Sequence, residues 1–81
     1  MQVRVTLYGW LRMGVSHSDD SLELTLPSGV DVAGVIEALR TTSPMLDPRS
    51  CLAMIDGARV PLDRVLKEGE EMHLYPVFSG G

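Results

Sequence analysis

The 81-residue chain has room for one domain and no second core, and a domain this small buries only about 60–65% of its unfolded surface. A module that offers an edge, a face or a tail to a partner fits that size better than an enzyme with a deep cleft. At 44% hydrophobic and 22% charged residues the composition is that of an ordinary folded domain, and a net charge of −4 with scattered cations such as Arg4, Arg12 and Lys67 excludes a phosphate-gripping nucleic-acid surface.

Residues 2–8 alternate, with Val3, Val5 and Leu7 on one side and Gln2, Arg4, Thr6 and Tyr8 on the other, which predicts a half-buried strand. The pattern lapses over residues 9–20, where Ser16-His17-Ser18-Asp19-Asp20 reads as an exposed loop. It returns at Leu22, Leu24 and Leu26, with Ser21, Glu23 and Thr25 facing out, and Pro27-Ser28-Gly29 stops it with turn chemistry. These two strands are expected to form a hairpin. Asp31 is a helix N-cap, and Val32, Val35, Ile36 and Leu39 then trace one apolar helical face. Gly34 inside that helix costs about 1 kcal/mol against alanine, so the helix must lean on packing. Ser43-Pro44 limits it on the far side, and residues 42–50 form an irregular crossing.

Cys51 to Ile55 reads as a central strand covered on at least one face, and Asp56-Gly57 as a hairpin turn into a short strand near Arg59-Val60. Pro61 to Gly69 is turn-rich, with Leu62 and Leu66 placed to cap one end of the core. The last strand spans residues 71–77, with Met72 and Leu74 inward and His73 and Tyr75 outward. The order β-β-α-β-β-β, with one amphipathic helix to cover one sheet face, predicts an α+β fold with a mixed sheet of four or five strands. The connection through the helix is long enough for a right-handed crossover.

Most chemistry is excluded by spacing. The lone Cys51 permits no internal disulfide, no thiolate zinc site and no plant-type iron–sulfur cluster, and it reads as a small buried hydrophobe rather than a reactive thiol. His17 and His73 stand far apart with no ligand spacing, so no metal site is expected. Ser16, His17 and Asp19 are loop neighbours that cannot converge as a triad. Asp19-Asp20 and Glu68-Glu70-Glu71 read as solvated turns rather than a glycosidase pair. His73 and Tyr75 suit either an ordinary half-exposed sheet face or a partner patch. No basic-then-apolar leader opens the chain and no apolar run approaches the roughly 20 residues of a membrane span. A cytoplasmic protein without membrane partners is therefore expected.

The feature that carries chemistry is Gly80-Gly81, separated from the last strand by only Phe78 and Ser79. Glycine lacks Cβ, so such an arm can enter a channel too narrow for other residues. Beyond Val77, four extended residues reach on the order of 13–14 Å. The expected division is a domain over residues 1–77 and a flexible tail over 78–81. The Gly81 carboxylate becomes an acyl donor once adenylated, and a sulfur nucleophile that displaces AMP leaves a thiocarboxylate.

Val3 to Arg12, Leu26-Pro27-Ser28-Gly29, Lys67-Glu68-Gly69 and the ending Tyr75-Pro76-Val77-Phe78-Ser79-Gly80-Gly81 together resemble one family, the MoaD/ThiS-type sulfur carriers, which include the small subunit of molybdopterin synthase. Val3 to Arg12 is similar to the family's opening strand and its aromatic-small-x-Leu-Arg continuation, and Leu26-Pro27-Ser28-Gly29-Val30-Asp31-Val32 to its Leu-Pro-x-Gly-x-x-Val approach to the helix. Pro61-Leu62-Asp63 and Lys67 to Met72 resemble the turns before the last strand. Tyr75-Pro76-Val77-Phe78-Ser79-Gly80-Gly81 resembles the ending aromatic-Pro-Pro-Val-x-Gly-Gly, departing from it at Val77 and Phe78. The resemblance implies a ubiquitin-like β-grasp fold and no catalysis by the chain itself. It implies activation of Gly81 by an E1-like adenylating enzyme that uses ATP, with no cofactor bound here. Sulfur would pass to an acceptor, the large subunit of molybdopterin synthase or another pathway enzyme. Gly80 then serves as the slender arm, Val77 and Phe78 as the docking segment next to Ser79, and Trp10 and Tyr75 as aromatic partner anchors. Trp10 suits equally a loop residue folded over the core edge. The tail equally permits a ubiquitin-like modifier joined through Gly81 to lysines, or a β-grasp interaction module whose end is incidental.

Overall fold

In the computed structural model, which describes residues 1–9, 11, 21–41 and 46–77, alternation becomes sheet where it was expected. Strand β1 (Gln2–Leu7) pairs antiparallel with β2 (Ser21–Thr25), with Val3 opposite Leu24 and Val5 opposite Leu22. After helix α1 (Val32–Arg40), β3 (Cys51–Ile55) and β4 (Ala58–Val60) form a second antiparallel pair. Asp56 and Gly57 join them at φ 55° and 78°, the left-handed pair that a two-residue hairpin of matching twist requires. The last strand, β5 (Glu71–Pro76), lies between β1 and β3, parallel to the first and antiparallel to the second. The sheet order is β2-β1-β5-β3-β4.

Helix α1 lays Val32, Val35, Ile36 and Leu39 onto one face of this sheet, against Val3, Val5, Leu7, Ala53, Ile55, Met72 and Leu74. Leu22, Leu24 and Leu26 join this core only in part, because β2 is an edge strand. Asp31 caps the helix, its side chain accepting from Gly34 N–H at 2.9 Å. That closeness also explains the glycine. A Cβ there would stand 3.1 Å from Val30 Cγ1 and 3.3 Å from Asp31 Oδ1, tighter than ordinary contact.

The segment before β5 does more than turn. The N–H groups of Val32 and Ala33, orphans of any helix start, donate to the carbonyls of Arg64 and Leu62, both at 3.0 Å. Leu66 N–H returns to Val30 O at 2.9 Å and its side chain is buried. Leu62 is a correction to the expected core cap. Its side chain stands beside Pro61 at the open groove past the end of the fourth strand and is 40% exposed, while Leu66 fills the core. The expected exposed loop over residues 16–20, and residues 42–45 of the expected crossing over 42–50, lie outside the described residues, while 48–50 of that crossing form a single 3-10 turn, Pro48–Ser50.

Arg64 and Glu70 clasp this segment with two hydrogen bonds, Nη2 to Oε2 at 3.0 Å and Nη1 to Oε1, while Lys67 N–H also donates to Glu70 Oε1. The guanidinium first, and the Lys67 amide with it, hold the Glu70 carboxyl below its ordinary 4.5. A carboxyl lowered on folding contributes stability that is present above its ordinary pKa and lost as pH falls through the folded value. Glu70→Gln should therefore lower the urea midpoint near neutral pH by about 0.5–1 kcal/mol equivalent. The gap to the parent should close in acid, and an undiminished gap there would assign the loss to something other than this charge.

Candidate functional site

The tail leaves the sheet from β5, so the site begins with how that strand ends. Tyr8 N–H donates to Leu74 O at 3.0 Å and Val77 N–H to Ser50 O at 2.9 Å, which holds the root on both sides. Gly9, at φ 60°, lets Pro76 lie against the bare backbone, since a Cβ at this glycine would come within 2.9 Å of Pro76 Cγ. The small residue of the opening motif and the proline of the ending are thus one contact. Neither local pattern reveals it, because the two residues stand at opposite ends of the chain.

On the sheet face away from α1, β1 and β5 bring together Tyr8, Glu71, His73 and Tyr75. The rings of Tyr8 and Tyr75 stack at 4.3 Å and 10°. Tyr8 Oη lies 2.8 Å from His73 Nδ1, and His73 Nε2 lies 3.0 Å from Glu71 Oε1. A tyrosine hydroxyl can donate or accept, so both ring nitrogens keep their partners whether or not the imidazole is charged. This ladder fixes the orientation of the aromatic pair and leaves no ring nitrogen without a partner. His73 and Tyr75 face outward as their alternation predicts, and both are half-buried. Tyr8 shares the outward side that its alternation predicts, but its stacking depends on pairing the first strand with the last.

Of the residues assigned to the site, Tyr75 and Val77 fall within the described structure. Tyr75 belongs to the stacked pair, and Val77 is 39% exposed beyond the strand end. Trp10, Phe78, Ser79, Gly80 and Gly81 lie outside the described residues. Cys51 is buried, and that burial first raises its thiol pKa, against a lowering hydrogen bond from the Asp47 backbone and with a smaller raise from the Asp47 charge. Among the described residues no group of three His, Cys, Asp or Glu could hold a metal ion, and no helix is long and apolar enough to cross a membrane.

Sequence comparison decides the family, since the ThiS family model matches residues 5–81. This chain belongs to the ThiS family. Solved structures agree on the fold. The small archaeal modifier protein 1 of Haloferax volcanii superposes with a TM-score of 0.78 at 19% identity, each chain covering 100% of the other. A putative molybdopterin converting factor subunit 1 from Pyrococcus furiosus gives 0.78 at 22%, over 95% of this chain and 98% of that one. Subunit 1 in the complex of subunits 1 and 2 of the molybdopterin-converting factor from Helicobacter pylori is a further likeness, at 0.64 and 19% over the whole of both chains. No curated relative matches the chain in sequence. The fold is the ubiquitin-like β-grasp of the ThiS-type sulfur carriers, which are small carrier proteins rather than catalysts.

The contact at the tail root can be tested directly. Gly9→Ala places a side chain in the left-handed region and against the proline ring, and should cost about 1–3 kcal/mol in urea unfolding. Combined with Pro76→Ala, it should cost less than the sum of the two single changes. Strict additivity would mean that the two residues do not touch.

Proposed function

We propose that this ThiS-family chain works as a sulfur carrier in the cytoplasm, with Gly81 as its reactive residue. The Gly81 carboxylate attacks the α-phosphorus of ATP on an E1-like adenylating enzyme and pyrophosphate leaves. A hydrosulfide-level nucleophile then attacks the acyl carbon and expels AMP, leaving a thiocarboxylate. That sulfur passes to an acceptor enzyme in cofactor or metabolite biosynthesis, for which the large subunit of molybdopterin synthase is the leading candidate. The chain binds no cofactor of its own in this scheme, and ATP belongs to the activating partner.

The observation that carries the reading is the family match, which runs through the last strand into Gly80-Gly81. The root geometry supports it. Gly9, Pro76 and the Val77–Ser50 hydrogen bond hold the start of the arm in place, so the body presents the tail from a fixed root. The Helicobacter pylori subunit, solved with a second subunit, supports an acceptor of the same kind. Tyr8 and Tyr75 offer the enzyme a rigid aromatic surface, and Trp10, Val77, Phe78 and Ser79 complete the docking region in this proposal.

Incubation with the adenylating enzyme, ATP and a sulfide source should raise the intact mass by the difference between a sulfur and an oxygen atom. Deleting Gly81, or appending one residue after it, should abolish the gain. Sulfur loading that survives either change would refute Gly81 as the acceptor. An isopeptide-linked ladder on denaturing gels, with no thiocarboxylate formed, would favour the modifier reading of the same tail.

A further inference from the structure

Beside the tail root the sheet leaves a groove of about 510 Å³. Its origin is Pro61, which has no N–H for a ladder and ends β4 at Val60, opposite Ala53. No residue of β4 therefore stands opposite Cys51 and Leu52, and these form the floor. Val77 borders the groove on the β5 side, Leu62 on the β4 side, and the turn Pro48–Ser50 precedes the floor. Leu62 and Val77 are 40% and 39% exposed, so the groove has apolar walls facing solvent.

Three of the described cations, Arg49, Arg59 and Lys67, make no ion pair among the described residues, and two of them stand at this groove. The chain carries a net −4, and Arg4, Arg40 and Arg64 are each held by a carboxylate. Arg49 and Arg59, both lining the groove and both exposed, make no ion pair among the described residues. Two guanidiniums with no ion-pair partner among the described residues thus flank an apolar trough in an acidic protein, next to the root of the tail. Guanidinium groups take carboxylates in paired hydrogen bonds.

We propose that this groove docks an extended segment of alternating apolar and acidic side chains, presented by the enzyme that activates the tail. The inference deepens the carrier reading and rests on it for the identity of the partner. Apolar side chains of the segment pack on Leu52, Leu62 and Val77, and its carboxylates meet Arg49 and Arg59. Because Val77 belongs to both groove and tail root, occupying the groove registers the arm toward the active site.

The test has two arms. In adenylation assays, R49E/R59E should raise KM for the carrier about tenfold, whereas R40E on the helix should change it less than twofold, and added salt should narrow the difference. Equal KM values for the two variants would overturn the proposal. Separately, the ¹⁵N-labelled full chain is titrated with acetylated Leu-Asp-Leu-Glu-Leu amide and with its Asn/Gln counterpart. Shifts at Cys51, Leu52, Arg59 and Val77 with the acidic peptide, and weaker binding of the neutral one, are expected. Shifts confined to the Tyr8–Tyr75 face, no preference for the acidic peptide, or self-association through the groove would each overturn it. Failure of the parent chain to accept adenylate would instead defeat the carrier reading, and the peptide titration would still decide the groove.

Discussion

The structure depends on the insertion of β5 between β1 and β3. Both edges of this strand are hydrogen-bonded, and its inward residues Met72 and Leu74 are fully buried beneath α1. Until it is in place there are two separate hairpins, β1–β2 and β3–β4, each marginal by itself. Their union into one sheet, and the continuous surface on which the helix lies, come from this late segment of the chain. Because β1 and β5 pair across nearly the whole sequence, much of the closure entropy must be spent before that contact forms.

That insertion sets the work of the segment from Pro61 to Glu70. It must leave β4, pass the start of the helix and deliver the chain to the head of β5. On the way it supplies carbonyls to the first helical amides, and it holds β1 through Glu68 to Gln2 N–H at 2.7 Å and Gly69 N–H to Gln2 O at 2.7 Å. The Arg64–Glu70 clasp closes the turn. A small core thus gains a polar frame in which few main-chain groups at the helix start go unmet.

Local patterns made much of this legible. Period-two alternation located β1, β2 and β5, the i, i+3, i+4, i+7 spacing from Val32 located α1, and Asp31 and Asp56-Gly57 marked a cap and a turn by their chemistry. Strand order was not local information, so the Tyr8–Tyr75 stack and the Gly9–Pro76 contact had no signature in either segment taken alone. Leu62 misled for a related reason. Hydrophobicity places a leucine inside, but here Leu66 fills the core and Leu62 lines the open groove beside Pro61. The tail motif is different, since its meaning lies in covalent order alone. What positions its root required knowing which residues from the other end of the chain lie beside it.

The parallel alignment of β1 with β5, and the antiparallel alignment of β5 with β3, also decide how the body answers a pull. A pull applied beyond Val77 along the axis of β5 loads the strand lengthwise. Every rung on both flanks then bears the load at once, in shear, instead of opening one after another like a zipper. Traction along that axis therefore meets the stiffest direction the sheet possesses, and the body resists unravelling from this end.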